Sequence, residues 1–208
     1  MRLPNAAHES RPWRIREIAP DFIVEDVWAL PAHGGAGDFQ TLLEILASGG
    51  PAGLDSLAAR TLWQVRDRLG SWLGLGRIAA PVYSGLGSAA GSLPIPGTNE
   101  SSLASRLPAD LRNTAADLKF GSLPFLPLYR TDVEFAAEMS NQTVHCVMHV
   151  AWVDQGAGRY QGQSAIYVKP RGPLGSAYMA LIRPFRHLIV YPAILRHVER
   201  TWNARVPR

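Results

Sequence analysis

Three stretches in the second half of the chain alternate apolar and polar residues, which is the period of a half-buried β-strand. They read LYRTDVEFAAEM, TVHCVMHVAWV and RYQGQSAIYVK, and the sequences SNQT and DQGAG between them are typical of turns. The pattern predicts three antiparallel strands joined by hairpins, with one apolar and one polar face. The predicted apolar face carries Val133, Phe135, Ala137, Met139, Val144, Cys146, Met148, Val150, Trp152, Tyr160, Ile166 and Val168, with the small residues Gly162 and Ser164 among them.

The rest of the chain predicts one further strand and three helices. DFIVEDVWALP reads as a strand that ends at Pro31, and Asp38 is placed to cap a helix over FQTLLEILAS. A second helix is predicted in DSLAARTLWQVRDRLGSWLGL. A long amphipathic helix covers about Leu174 to Asn203, and Pro184 and Pro192 predict a kink or a break in it.

Glycine, serine and proline dominate a region from about residue 77 to residue 128, where one short helix is predicted near SSLASRLPADL. We interpret this region as an insertion, because it contains no long periodic pattern of its own. The sequence then predicts a single domain over residues 13–208, preceded by an N-terminal extension of residues 1–12.

His145 and His149 lie four residues apart in the second alternating stretch. On a strand this spacing separates them by about 13 Å, at roughly 3.3 Å per residue, which excludes a shared metal ion. With Asn141 and Gln142 as a two-residue turn, Glu138 faces His145 and Glu134 faces His149. Three readings stay open for this face: chiefly a solvated outer surface, but also a Glu–His acid/base pair or a dimer contact.

Composition narrows the class of protein. Of 208 residues, 47% are hydrophobic and 18% charged, and the net charge is +4 without any long basic run, so a nucleic-acid partner is not expected. One cysteine, Cys146, favours a reducing compartment, and we expect a cytoplasmic protein because the N-terminus lacks a signal-peptide core. Arginines and prolines interrupt the longest apolar stretch, residues 178–195, which excludes a membrane span.

No cofactor is predicted. The spacing in GLGSAA, from Gly85 to Ala90, matches part of a dinucleotide fingerprint, but Pro94 and Pro96 follow where a helix is required. No P-loop occurs, and no metal site is predicted.

A sheet with an apolar face and a long amphipathic helix bury those surfaces against each other. Three segments, RPWRIREIAPDFIVEDVWALP with GDFQTLLE, EMSNQTVHCVMHVAWV and YMALIRPFRHLIVYPAILRHVERTW, resemble a bacterial family of uncharacterised proteins within the START-like or SRPBCC superfamily. The resemblance implies an α+β helix-grip fold, in which a curved antiparallel sheet wraps around the C-terminal helix and two short helices follow the first strand. Strands still missing from such a sheet would come from RIAAPVYS and FGSLPFLPLY.

The resemblance also implies a ligand cavity between the sheet and the C-terminal helix. The leading expectation is binding of an apolar small molecule such as a lipid, a polyketide or an isoprenoid. The first alternative is a cyclase, dehydratase or isomerase acting on such a molecule, and the second is an interaction module without a ligand. The sequence does not indicate an oligomeric state.

Candidate site residues come from the helix and from the apolar face of the sheet. Arg183, His187 and Tyr191 recur at i, i+4 and i+8, so they form one polar line that could hold a carboxylate or enolate and move a proton. Asp26 is either a further site residue or a paired structural carboxylate. The predicted ligand-binding residues are Trp28, Phe135, Met148, Ser164, Ile166 and Tyr178.

Overall fold

The structure is a computed structural model that describes residues 1–48, 102–115, 125–140 and 143–205. Within these residues the fold is α+β, with a curved antiparallel sheet of six strands and a long helical stretch at the C-terminal end. The strands lie in the order β1-β2-β6-β5-β4-β3. Their bounds are β1 Arg2–Leu3, β2 Ile23–Gly34, β3 Leu126–Arg130, β4 Glu134–Ser140, β5 Val144–Asp154 and β6 Tyr160–Pro170.

Of the helices that the structure describes, two short ones lie between β1 and β2, one follows β2, and the rest follow β6. Two helical segments meet end to end near the C-terminus, joined by a π-helical stretch over Arg186–Val190. Because Pro184 and Pro192 flank this stretch and cannot donate backbone hydrogen bonds, the predicted interruption takes the form of a local widening of the helix. The bounds are α1 Ala6–Glu9, α2 Ile15–Ile18, α3 Phe39–Ser48, α4 Gly172–Phe185 and α5 Tyr191–Arg205, with 3-10 turns at Ala36–Asp38, Leu103–Arg106 and Ala109–Leu111.

Several predicted elements are confirmed and others are wrong in detail. Strands β5 and β6 and helix α3 lie where the sequence predicts them. Strand β2 continues through Pro31 to Gly34, and LYRTDVEFAAEM is divided between β3 and β4 by a turn. FGSLPFLPLY contributes β3, while the helix predicted near SSLASRLPADL is two 3-10 turns. The predicted helix DSLAARTLWQVRDRLGSWLGL and the strand RIAAPVYS lie outside the described residues.

Both faces of the sheet are buried. One face packs Phe135, Val150 and Trp152 against α3 and α5. The other packs Val147 and Ala165 against residues of the first 22 positions and of the 102–115 segment, among them Ile15, Ile18, Leu103 and Leu107. We call these the helix side and the N-terminal side.

The side chains predicted on the polar face do lie on one face of the sheet, but that face is buried and not exposed to solvent. Glu134, Glu138, His145 and His149 point to the N-terminal side, away from the C-terminal helix, yet none is more than 5% exposed. The solvated-surface reading is therefore wrong, because two segments distant in sequence cover this face.

The β4–β5 hairpin differs from the predicted register by two residues. Ser140 lies opposite His145, and Ala136 lies opposite His149. The predicted partners still meet, but diagonally: His145 Nε2 is 2.9 Å from Glu138 Oε2, and His149 Nε2 is 3.1 Å from Glu134 Oε2. Diagonal neighbours across a strand pair are within reach of long side chains.

Truncation of a buried histidine on this face tests the burial. On a solvated face we would expect His145→Ala to change the free energy of unfolding by under about 1 kcal/mol. Because His145 is buried and donates to the buried Glu138, we expect a loss of about 2–4 kcal/mol from the cavity and the weakened carboxylate pairing. Urea unfolding measures the change, with His33→Ala, an exposed position on β2, as the control. Equal losses in the two variants would contradict this account.

A close approach fixes where α4 begins. A Cβ atom added at Gly175 would collide with the carbonyl oxygen of Thr143 and would lie 3.3 Å from the backbone of Pro170. We expect Gly175→Ala to lower the free energy of unfolding by about 1–3 kcal/mol, because backbone atoms cannot give way as a flexible side chain can.

Gly37 is the matched control for this substitution, since an added Cβ there would meet nothing within 4 Å. Urea unfolding of Gly37→Ala should resemble that of the wild type. A Gly175→Ala protein as stable as Gly37→Ala would show that the helix start can shift without cost.

Candidate functional site

A bulge in β2 places two consecutive carboxylates on the helix side. Val24 pairs with Tyr167 and Asp26 pairs with Ile166, so Glu25 is an extra residue between them. A bulge of this kind redirects side chains, and it lets both Glu25 and Asp26 reach the C-terminal helix. Asp26 is completely buried there.

Three side chains of the helix hold Asp26. His187 Nε2 donates to Oδ1 at 2.7 Å, and Tyr191 Oη donates to Oδ2 at 3.2 Å. Arg186 Nη2 lies 3.1 Å from the same Oδ2 and also donates to Glu25 Oε1 at 2.7 Å. The π-helical stretch supplies Arg186 and His187, and such stretches are frequent at functional sites.

The three predicted catalytic residues do not lie in equivalent places. His187 and Tyr191 converge on Asp26, and His187 remains 20% exposed. Arg183 is 56% exposed and pairs with Glu25 at the edge of the cluster. Burial would raise the pKa of Glu25, but the guanidinium groups of Arg186 and Arg183 outweigh it and lower that pKa.

Two buried N–H groups of this cluster have no hydrogen-bond partner among the described residues. They are Nε1 of Trp28 and Nε of Arg186. Trp28 stacks on Tyr191 with ring centroids 4.4 Å apart and meets His187 edge-on at 5.9 Å. Both groups can only donate, so they are complementary to an oxygen atom of a bound molecule.

Two weakly acidic groups of this region, Tyr191 and Cys146, are buried. Burial raises the pKa of Tyr191 well above its usual range and that of Cys146 to about 12, so both stay protonated at neutral pH. The Nε2–H of His187 faces the Asp26 carboxylate, which orients the ring and leaves the lone pair on Nδ1.

The five other predicted ligand-binding residues lie in three different environments. Met148, Ser164 and Ile166 are only half-buried, although they lie on the helix side of the two central strands. Tyr178 is buried in the cluster that contains Cys146. Phe135 is completely buried with α3 and α5, in a different cluster from Tyr178.

Gly162 does not leave room for a ligand. Helix α3 places Leu42 against it, so that an added Cβ would lie 2.8 Å from Leu42 Cδ2. The small residue therefore serves close packing of α3 on the sheet, and Ser164 is the small position that remains half-buried.

A second buried polar cluster lies on the N-terminal side. Glu134 accepts from His149, from Tyr129 Oη at 2.9 Å and from the backbone N–H of Arg14 at 3.0 Å. His8, in α1, is completely buried beside His149 with ring centroids 5.0 Å apart. Burial lowers the pKa of both rings, for His8 to about 3, helped by the neighbouring His149.

Sequence reasoning missed Glu25, Arg186, His8 and Trp13. A signal for the first existed, since two adjacent acidic residues break the alternation of a strand and mark a bulge. His8 lies within residues 1–12, interpreted from the sequence as an extension, and Trp13 directly follows them. Strand β1 instead pairs with β2, and His8 of α1 is completely buried beside His149 of β5. No periodic pattern in the sequence predicts that these N-terminal residues pack on the sheet.

The depressed pKa of His8 predicts loss of stability in acid. The unfolded ring takes up a proton below about pH 6.5, whereas the folded ring stays neutral to about pH 3. The free energy of unfolding therefore falls by roughly 1.4 kcal/mol for each pH unit of acidification across that interval. At pH 5 this effect of His8 lowers the free energy of unfolding by about 2 kcal/mol. His8→Asn, which keeps a donor to Gln163, should lose this part of the pH dependence in urea titrations.

His33→Asn changes an exposed histidine and serves as the control. The same dependence on pH in the wild type and in His8→Asn would contradict a neutral, buried His8.

Among the described residues, no helix is both long and apolar enough to cross a membrane. The same residues contain no group of three or more His, Cys, Asp or Glu side chains that could hold a metal ion.

Comparison with known proteins gives one match. Neither the search of curated proteins nor the search of solved structures returned a similar chain. Residues 18–193 match a protein family, and this range includes Asp26, His187 and Tyr191 but not His8 or Trp13. The chain belongs to the family described as "Protein of unknown function (DUF2867)".

Proposed function

We propose that this protein binds an apolar small molecule, such as a lipid, a polyketide or an isoprenoid, between its sheet and its C-terminal helix. The observation that carries the proposal is the pair of buried, unpartnered donors, Trp28 Nε1–H and Arg186 Nε–H, beside the Asp26–His187 pair. We further propose the helix-grip type of fold, and the position of β2 next to the last strand, β6, supports it.

The apolar part of the ligand is assigned to the centre of the sheet. Met148 and Ile166 lie opposite each other on the two central strands, and the helix leaves both half-buried. Apolar side chains in the middle of a covered sheet are ordinarily buried, so partial exposure here supports an opening lined by hydrophobic groups. Cys146 and Tyr178 continue the same apolar surface.

The polar end of the ligand is assigned to the unpartnered donors. A buried N–H without an acceptor costs about 1–3 kcal/mol, and a ligand oxygen that accepts from it removes that cost. A carboxylate, carbonyl or enolate oxygen provides this acceptor, and Arg186 adds a positive charge. The ligand therefore joins an apolar body to an oxygen-bearing end.

A catalytic role at the same place has its own support. Asp26 orients His187 as a carboxylate orients a general base, and the Nδ1 atom faces away from that carboxylate. Removing a proton next to a carbonyl would build negative charge on oxygen, where Trp28 and Arg186 supply donors. Isomerases, cyclases and dehydratases share this step.

Paired amphiphiles test the binding proposal. Native mass spectrometry of the purified protein first identifies any co-purified molecule, and titration calorimetry then compares dodecanoate with dodecylamine. We expect dodecanoate to bind more tightly, because its carboxylate oxygens can accept from the unpartnered N–H groups of Trp28 and Arg186, whereas an ammonium group accepts no hydrogen bond. Trp28→Phe keeps the stacked ring but removes the N–H, and should weaken dodecanoate binding about tenfold.

Trp202→Phe alters a buried tryptophan outside the candidate site and should leave the affinity unchanged. Preference for the amine would refute the oxygen-accepting end. Failure of both amphiphiles to bind would instead favour an interaction module without a ligand.

Deuterium exchange tests the catalytic role. With 3-oxododecanoate in D2O, wild type should speed exchange of the protons between the two carbonyl groups, followed by NMR. His187→Ala should reduce the enhancement by about 10²-fold or more, the usual contribution of a general base. An exchange rate in wild type equal to that of buffer would leave binding without acid/base chemistry.

A further inference from the structure

Four rings meet on the N-terminal side, on the opposite face of the sheet from the proposed ligand site. His8 lies 5.6 Å from Trp13 and 5.7 Å from Tyr167, measured between ring centroids. His149 lies 5.0 Å from His8, 5.6 Å from Trp13 and 6.3 Å from Tyr167. Helix α1 and the turn after it bring the first two rings, and strands β5 and β6 bring the others.

Each ring carries one buried polar atom without a hydrogen-bond partner in the part of the chain that the structure describes. These atoms are His8 Nε2, Trp13 Nε1, His149 Nδ1 and Tyr167 Oη. Four such atoms in one ring cluster exceed what a well-packed interior usually tolerates, since nearly all buried polar groups are paired.

The partners of the two histidines determine which of these atoms can accept. His8 Nδ1 lies 2.5 Å from Gln163 Oε1, an acceptor, so Nδ1 carries the proton and Nε2 has a lone pair. His149 Nε2 faces the Glu134 carboxylate, so Nδ1 has the lone pair. Burial lowers the pKa of both rings, which keeps them neutral and their lone pairs available at pH 7.

The four atoms thus comprise two acceptors, one donor and one hydroxyl that can act as either. A water molecule donates two hydrogen bonds and accepts two, which matches this set completely. An alcohol donates only one bond and leaves an imidazole unpaired. An ammonium group accepts none and leaves the Trp13 N–H unpaired, and a metal cation would face that same N–H.

We propose that His8, Trp13, His149 and Tyr167 form a second polar site whose ligand is one water molecule. The water donates to both imidazoles and accepts from the Trp13 indole and the Tyr167 hydroxyl. Glu134 accepts from His149 Nε2, which is how a carboxylate orients a general base. The water is therefore held where it can pass a proton to His149 Nδ1. The family match begins at residue 18, so the segment that supplies His8 and Trp13 lies before it.

Water-selective NMR on the ¹⁵N-labelled protein tests the site. We expect a direct dipolar cross peak between water and the Trp13 Nε1 proton. The nuclear Overhauser effect should have the sign of a water molecule that stays bound for a long time. Trp152 provides an internal control, because its Nε1–H is part-buried and donates to the Gly35 carbonyl at 2.8 Å. No such cross peak is expected for that proton.

Two variants distinguish a bound water from the tyrosine hydroxyl as the source of the cross peak. In Tyr167→Phe the cross peak should persist, because the water remains bound by three partners. Its disappearance there would assign the signal to the tyrosine hydroxyl and overturn the proposal. His149→Phe removes one lone pair and should weaken the peak severalfold; an unchanged peak in that variant would contradict a water held by His149. No cross peak at Trp13, or a stoichiometric metal in elemental analysis of the wild type, would equally refute a water site.

Discussion

Burial of carboxylates on both faces of one sheet is the constraint on which the rest of the structure depends. Asp26, Glu134 and Glu138 are each 5% exposed or less. A buried carboxylate without partners is strongly destabilising, and neighbouring strands use their own backbone groups in the sheet. Most of the required donors therefore come from the segments that cover the sheet, and these carboxylates hold distant parts of the chain in place.

Each carboxylate fixes a different covering segment. The C-terminal helix donates to Asp26 through His187 and Tyr191. The backbone N–H of Arg14 donates to Glu134, and the hydroxyl of Ser102 and the backbone N–H of Leu103 donate to Glu138. The apolar contacts of the same segments supply most of the stability, since burial of hydrophobic area is the dominant favourable contribution to folding. The carboxylates fix the position of each covering segment on the sheet, because each carboxylate accepts hydrogen bonds from particular atoms of that segment.

The sequence predicted what depends on local periodicity. Alternation in TVHCVMHVAWV was sufficient to assign β5 and to place His145 and His149 on the same face, because side-chain direction on a strand has a period of two. It could not predict their burial, because the rings packed against them, Phe22 on His145 and Trp13 on His149, lie more than 100 residues away in sequence. The two-residue difference in hairpin register is equally invisible, since it preserves the face of every side chain.

The sequence predicted members of both halves of the candidate site, with Asp26 and Trp28 on the strand and His187 and Tyr191 on the helix. His187 and Tyr191 are four residues apart and therefore share a helix surface, and both do meet Asp26. Arg186 was missed because a regular helix would direct it elsewhere, whereas the π-helical stretch brings it to Asp26 and Glu25. The bulge at Glu25 has the same effect on the strand. Both irregularities lie beside the buried N–H groups of Trp28 and Arg186 that have no partner among the described residues.

The two histidine–carboxylate pairs show how access, rather than chemistry, distinguishes the faces. His149 with Glu134 and His187 with Asp26 use the same ring nitrogen, at 3.1 Å and 2.7 Å. His149 is completely buried among aromatic rings, while His187 remains 20% exposed at the boundary of sheet and helix. Only the second can meet an organic molecule without displacement of the covering segment. His149 faces the polar atoms that we propose to surround one water molecule, so we propose a different ligand for each of the two pairs.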